Sequence, residues 1–261
     1  MKLPLYQIDA FTSRMFRGNP AAVVLLDAWL PDATLRAIAA ENNLAETAFV
    51  VVRGDVMPLR WFTPTVEVDL CGHATLAAAH VLLRYNFPSA THVSFSTRSG
   101  NLVVTRDGEF LSMDFPSRPG TPVELTPTLV SALGVRPRVA YAARDLLAIF
   151  DSESQILNFL PDFQRIAALD TFALIVSAPG DTTDYVYRFF APRQGIPEDP
   201  ATGSANCTLV PYWAARLGRA ELVAQQLSAR GGDLRCTLRG DRVLIAGCTA
   251  EYLRGEIEVE L

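Results

Sequence analysis

The amino-acid sequence predicts an α+β protein of two pseudo-symmetric halves, each a set of strands wrapped around one central helix, with the functional site in the cleft between them. Three observations lead there. An internal repeat sets Arg60-Trp61-Phe62-Thr63-Pro64 against Arg188-Phe189-Phe190-Ala191-Pro192. Each copy runs through a polar loop into a glycine that opens a small-residue helix, Gly72-His73-Ala74 and Gly203-Ser204-Ala205. The length of 261 residues suits two domains of roughly 150 residues each. Between the copies, residues 116–127 hold four prolines (Pro116, Pro119, Pro122 and Pro127), the best linker in the chain. The expected halves are therefore residues 1–116 and 117–261, the final strand or strands being free to cross over.

Element by element, residues 3–11 and 21–26 read as strands joined by a turn at Gly18-Asn19-Pro20. Residues 30–43 have helical spacing, with Leu35, Ile38 and Ala39 on one face and Asp32 near the start. Strands follow at 47–53 and 59–63, then a polar stretch at 64–69. After Gly72 the run HATLAAAHVLLR is apolar nearly all round, the mark of a helix buried on every side. Strands at 92–96, 100–107 and 109–115 come next, the last pair hinged on Asp107-Gly108.

The second half repeats this order. A helix at 126–133 stops before Gly134. Strands at 138–142 and 146–150, a helix at 152–160 and strands at 172–177 and 185–190 lead to a second mostly apolar helix, ANCTLVPYWAARLG. The tail, 221–261, reads as strands and hairpins turning at Gly231-Gly232 and Gly240-Asp241.

Composition excludes several classes. Hydrophobic residues make up 49% and charged residues 20%, ordinary globular usage, so disorder and fibrous repeats do not apply. The net charge of −5 and the scattered bases argue against nucleic acid, which demands clustered Lys and Arg. No apolar run approaches the ~20 residues of a membrane helix, and the N-terminus lacks the apolar core of a secretory signal. A cytoplasmic protein with reduced thiols is the expectation. The four cysteines show no zinc spacing; His73 and His80, seven apart on a helix, lie roughly 10 Å apart, too far to share an ion. No nucleotide-binding glycine motif is present either. No metal and no cofactor are expected.

The repeat has a chemical consequence. Two glycine-led helix starts facing one cleft would each present free N–H groups and about half a positive charge, a setting for a small anionic ligand and for carbanion or enolate charge. Glu46, in Leu44-Ala45-Glu46-Thr47-Ala48-Phe49-Val50, reads either as a strand-capping carboxylate or as a general base whose pKa apolar surroundings raise. Asp199 reads as a capping or loop acid, or as a site acid. His73 is structural or catalytic, and Cys71 lies where a helix terminus favours thiolate. Cys207, Cys236 and Cys248 read as buried small hydrophobes.

Four segments together resemble one family. Gly18-Asn19-Pro20-Ala21-Ala22-Val23-Val24, Leu44-Ala45-Glu46-Thr47-Ala48-Phe49, Leu70-Cys71-Gly72-His73-Ala74-Thr75 and Glu198-Asp199-Pro200-Ala201-Thr202-Gly203-Ser204-Ala205 are similar, in order, to motifs of the PhzF-like (phenazine-biosynthesis F-type) proteins. The resemblance implies a diaminopimelate-epimerase-like fold and a usual homodimer. It implies an activity like that of trans-2,3-dihydro-3-hydroxyanthranilate isomerase, which moves a proton along a conjugated ring without a cofactor. The family's acid/base glutamate matches Glu46, its site histidine His73 and its site aspartate Asp199. Its Gly-Ser pair matches Gly203-Ser204, and Asn19 matches an asparagine near substrate; Cys71 and Gly72 complete the expected substrate-binding set.

Related racemases use two opposed cysteines. Here Cys71 fills the first place and, by the repeat, Thr202 fills the second, which supplies no thiolate. The expected function is thus a cofactor-independent isomerase of a small cyclic or unsaturated carboxylic acid. The alternatives are an amino-acid racemase or epimerase using Cys71 with a carboxylate, and a non-catalytic protein that binds a small acid.

Overall fold

A computed structural model describes residues 1–260. In chain order the first elements are strands β1 (Lys2–Ala10) and β2 (Asn19–Leu26), helix α1 (Asp32–Asn42), and strands β3 (Glu46–Val51), β4 (Val56–Phe62) and β5 (Glu67–Val68). Helix α2 (Gly72–Val81) runs on into a π-turn at Leu82–Asn86, and strands β6 (His92–Thr97), β7 (Gly100–Asp107) and β8 (Phe110–Pro116) follow. Then come β9 (Thr121–Val123), α3 (Pro127–Leu133), β10 (Val139–Ala142), β11 (Leu146–Ile149), α4 (Glu153–Leu157), α5 (Phe163–Ala167), β12 (Leu174–Pro179) and β13 (Tyr185–Phe190). A 3-10 turn at Gly203–Ala205 opens α6 (Asn206–Leu217), and β14 (Glu221–Gln226), β15 (Gly232–Arg239), β16 (Arg242–Gly247) and β17 (Thr249–Glu258) end the chain. The two compact units are Met1–Asp114 with Ala246–Leu261, and Phe115–Ile245.

Within the first unit the strands pair in a set pattern. β17 joins β1 and β1 joins β2 antiparallel, β2 joins β3 parallel, and β3 joins β4 antiparallel. β4 joins β6 parallel, across the α2 crossover, and β6 joins β7 antiparallel. The second unit repeats these relations in order. β9–β10 and β10–β11 are antiparallel, β11–β12 parallel, β12–β13 antiparallel, β13–β14 parallel across α6, and β14–β15 antiparallel.

Register makes the correspondence residue by residue. Phe62 faces Thr47 on β3 as Phe190 faces Leu174 on β12, and Arg60 faces Phe49 as Arg188 faces Val176. Each arginine makes the same device. Arg60 Nε and Nη2 donate to Glu67 at 2.7 Å each, and Arg188 Nε and Nη2 donate to Glu198 at 2.7 and 2.9 Å. Both guanidiniums sit 5.0 Å over a phenylalanine two residues on, Phe62 and Phe190. Such two-point ion pairs fix geometry as well as charge, so each ties the loop ahead of its central helix to a strand of its own unit.

The central helices are buried because their sequences offer no polar face. In α2 every residue from His73 to Ala79 is buried, and in α6 every residue from Asn206 to Val210, with Trp213 and Ala214. Separate apolar clusters lie under the flanking helices: Leu35, Ile38 and Phe49 beneath α1, and Phe150, Ile156 and Phe190 beneath α4.

Three local expectations change. Residues 152–160 form no single helix, because Leu160 precedes Pro161, which disfavours helical backbone there. The chain restarts as α5, with Asp162 accepting from the Arg165 N–H at 3.0 Å as its cap. The proline-rich linker contains β9, where Pro122, lacking an N–H, sits opposite Tyr141 in a three-residue strand. The polar stretch at 64–69 contains β5, which pairs Glu67 and Val68 with Phe62 and Trp61.

Candidate active site

In the first unit, three of the singled-out residues meet. Glu46 is the first residue of β3, beside Ala21 on the parallel strand β2. Cys71 caps α2 with extended backbone (φ −145°, ψ 107°), and its carbonyl accepts from the Thr75 N–H and hydroxyl at 3.1 and 2.6 Å. His73 then lies in the first helical turn. Its Nε2 is 3.1 Å from Glu46 Oε2, and its Nδ1 is 3.5 Å from Cys71 Sγ. All three side chains are buried, at 7–8% exposure. The result is a chain of contacts, Cys71–His73–Glu46, with the imidazole in the middle.

Protonation follows from this arrangement. Burial pushes the Glu46 carboxyl up, but the charge and hydrogen bond of His73 outweigh it and hold Glu46 below its ordinary value. This corrects the raised pKa expected from apolar sequence alone, because the sequence does not show the cation at 3.1 Å. Burial opposes a charged His73, yet Cys71 and Glu46 together hold the imidazolium well above its ordinary range. Cys71 is pushed up to about 11, first by burial and then by the Glu46 charge, so the expected thiolate is also corrected. At neutral pH the cluster is a buried Glu46 carboxylate and His73 imidazolium beside a neutral thiol.

Glu46, Cys71 and His73 are also the group among the described residues whose ligand atoms lie near enough to hold a metal ion, all within 4.8 Å. Their geometry suits it poorly. The two ring nitrogens of His73 face different partners, and both the thiol and the imidazolium would have to lose protons to ligate.

Asn19 opens β2 opposite Ala10 and is fully buried. The turn before it is tight: Phe11, Phe16 and Gly18 have φ of 62°, 69° and 63°. A Cβ at Gly18 would drive into the Ala10 carbonyl oxygen, so only glycine fits where the chain enters β2 at Asn19.

The second unit holds Asp199, Gly203 and Ser204 at the entry to α6. Asp199 Oδ2 accepts a short hydrogen bond from Thr202 Oγ1, which fixes the loop rather than leaving the carboxylate to solvent. Gln226 clamps the same loop, accepting from the Thr202 N–H at 2.6 Å and donating to the Asp199 carbonyl at 2.5 Å. From below, Tyr187 donates to the Thr202 carbonyl at 3.1 Å, and Asn206 Nδ2 donates to Tyr187 Oη at 3.0 Å and to the Gly203 carbonyl at 3.2 Å. Sequence reading missed Gln226, Tyr187 and Asn206. The one signal was for Gln226, where alternation along β14 places it on the buried face with Leu222 and Ala224.

The repeat shows what the second unit lacks. By strand register, the position of Glu46 falls on Ala173, and by helix start Cys71 and His73 fall on Thr202 and Ser204. The carboxylate–imidazolium pair exists in one copy only.

A family model described as phenazine biosynthesis-like protein matches residues 8–255 of this chain. The chain belongs to that family. An uncharacterized isomerase of Pseudomonas aeruginosa is 50% identical to it over 99% of this chain and 100% of that protein. The crystal structure of a PhzF-family phenazine biosynthesis protein from Enterococcus faecalis matches with a TM-score of 0.97 at 44% identity, covering 99% and 100% of the two chains. A probable proline racemase of Agrobacterium radiobacter shares the fold alone, with a TM-score of 0.64 at 11% identity over 99% and 93%. The family's fold of two strand-wrapped helices is thus the fold seen here, and the motif segments that carried the resemblance hold the buried pair and the clamped loop.

Proposed function

We propose that this chain is a cofactor-independent isomerase that moves a proton on a small cyclic or unsaturated carboxylic acid, with Glu46 as the single acid/base. The observation that carries the reading is the buried Glu46–His73 pair, 3.1 Å apart and present in only one of the two repeats. Glu46 takes the proton next to the conjugated system. His73, still cationic, then sits beside the carbanion and stabilises it. Glu46 returns the proton at a second carbon reached from the same face. Family membership and relatives named isomerases support the reaction class. The test is proton wash-in: in deuterated water, trans-2,3-dihydro-3-hydroxyanthranilate and a panel of small unsaturated carboxylic acids are followed by NMR, and an exchanging acid is expected. Binding without wash-in for every acid tried would favour the non-catalytic alternative.

The pair also predicts a pH profile. Glu46, held low, keeps its charge until pH falls below the ordinary carboxylate range of about 4. His73, held high, keeps its proton until pH rises well above about 6.5. The first group contributes stability that is lost as pH falls through its lowered value, and the second contributes stability lost as pH rises through its raised value. A plateau in kcat/KM across pH 5–7 is expected, with the alkaline limb absent in His73→Gln. A wild-type profile bending at the ordinary histidine value would contradict the pairing.

The racemase alternative rests on Cys71, whose sulfur touches His73. With its thiol at about 11, Cys71 is a poor base at neutral pH. Cys71→Ser is expected to keep turnover within about tenfold of wild type, since it leaves the carboxylate that does the work. Loss of nearly all wash-in on that change, with folding intact, would move the acid/base role to the thiol.

A further inference from the structure

One sheet edge of the first unit is left open. Among the described residues, β17 pairs with β1 alone, so its other side is an edge. The strand is ten residues long, contains no proline, and is exposed at every position from Tyr252 to Glu256. Its counterpart in the second unit, β9, is an edge of the protected kind: three residues, with Pro122 inside it and Pro119 just before it. Shortness and proline keep an edge from pairing with another chain. β17 has neither safeguard.

Register identifies the backbone groups at that edge. The Met1 amino group donates to the Val259 carbonyl at 2.6 Å, and the Val259 N–H donates to the Met1 carbonyl at 2.8 Å. In an antiparallel ladder, such mutually bonded pairs alternate with unbonded ones. Counting back through Leu3–Ile257, Leu5–Gly255 and Gln7–Leu253, these residues of β17 turn their backbone groups toward β1. Arg254, Glu256 and Glu258 therefore turn theirs outward. Pro4, which has no N–H to give, lies opposite Glu256, as this alternation requires.

The side chains then select the occupant. A second copy arriving antiparallel must set outward groups against outward groups, so the two-fold axis falls on a residue and not between two. On Arg254 the axis would set arginine against arginine, on Glu256 glutamate against glutamate, and on Ile257 it would set Glu256 against Glu258 twice. On Gly255 it sets Arg254 against the partner's Glu256 and Leu253 against the partner's Ile257, each pair occurring twice. Unlike charges and apolar pairs directly opposite stabilise antiparallel strands, and like charges oppose them. Beyond Leu253 a bulge, where Gln7 pairs with Leu253 but Ile8 with Glu251, ends the regular ladder. Gly255 itself fits an axis. Glycine weakens a strand interior, yet a Cβ there would meet only Leu253 Cδ2, at 3.9 Å, so no contact within one copy demands it. Arg254 is already ordered, its guanidinium 4.4 Å from the centre of the Tyr85 ring, which lowers the entropy lost on pairing.

We propose that the outer edge of β17 is the interface between two copies of this chain, joined antiparallel about a two-fold axis at Gly255, with Arg254 of each copy facing the partner's Glu256. The two first units then share one continuous sheet. This interface lies in the first unit alone and does not depend on the acid/base role of Glu46.

The test is sedimentation equilibrium of the full chain. Wild type is expected at twice the chain mass of 28.5 kDa, with a dissociation constant below about 10 μM. Glu256→Arg sets arginine against arginine on both sides of the axis and should weaken association about tenfold or more. Adding Arg254→Glu to it restores unlike pairs and should bring association back to within about threefold of wild type. Both substitutions change exposed side chains, and thermal unfolding checks that each variant folds. Hydrogen exchange gives a reading on wild type alone: the Arg254 N–H, which points away from β1, should be protected in the dimer. A monomeric wild type, or an Arg254 N–H that exchanges freely in the dimer, would overturn the proposal. So would a dimer that Glu256→Arg leaves intact, or one that the second substitution fails to restore, since the copies would then meet at another surface or in another register.

Discussion

Glu46→Gln is expected to lower turnover by about 10²–10⁴-fold, the span that a positioned acid/base supplies. The amide keeps the volume of the carboxylate at the start of β3 and so leaves the packing against Ala21 and His73 in place. What it removes is the anion. His73 then stands buried with a neutral amide and a thiol as neighbours, and burial lowers the imidazole's proton affinity. Both consequences act in one direction: the base is gone, and so is the cation that stabilises the carbanion. Stability should fall by only about 1–3 kcal/mol, because a histidine can shed its proton rather than remain an unpaired buried charge. The measurements are deuterium wash-in and thermal unfolding on the same preparation. Wash-in within tenfold of wild type would overturn the single-carboxylate reading, whereas collapse of the fold would make Glu46 a structural acid.

Trp213→Ala should have the largest effect on stability. Trp213 is fully buried in the middle of α6, stacked on Tyr185 with ring centroids 5.6 Å apart and planes 2° from parallel. Its Nε1 donates to Ser177 Oγ at 3.1 Å, and that hydroxyl donates to the Val186 carbonyl at 2.7 Å. One side chain thus joins the helix to β12 and β13. Removing it leaves a large cavity and deprives Ser177 of its donor, a loss of about 3–5 kcal/mol. Denaturant unfolding is the direct measure. A loss under 1 kcal/mol would show that α6 is held by its neighbours and not by this ring.

Much of this fold is legible in the chain itself, for local reasons. Thr126 caps α3 by accepting from the Leu129 N–H at 3.2 Å, and Gly134 ends it with φ 68°, as threonine before proline and a trailing glycine foretell. The all-apolar stretch after Gly72 becomes a helix buried on all sides. The repeated Arg-aromatic-Phe segments become β4 and β13, even to the shared stacking of guanidinium on phenylalanine. Each of these can be read from a pattern within a few consecutive residues.

The candidate site was legible as a set of residues and not as a charge state. Nothing in Leu44-Ala45-Glu46 says that a histidine from the first turn of a distant helix will lie 3.1 Å away. Burial was correctly anticipated for Glu46, but its effect on the carboxyl is reversed by that neighbour. The thiol of Cys71 errs the other way: a helix start suggests thiolate, while burial and the Glu46 charge enforce the thiol. The loop of Asp199 likewise owes its shape to Gln226, a residue with no motif around it.

By itself, then, the sequence determined the duplicated unit, its two central helices and the short list of residues able to do chemistry, because hydrophobic period, caps and turns act over a few residues. Only the tertiary structure decided which of them meet, which carry charge, and that β17 is ten residues long while its counterpart β9 has three. Those outcomes depend on strand register and on distances between parts remote in the chain, where electrostatics and burial are settled by what packs alongside.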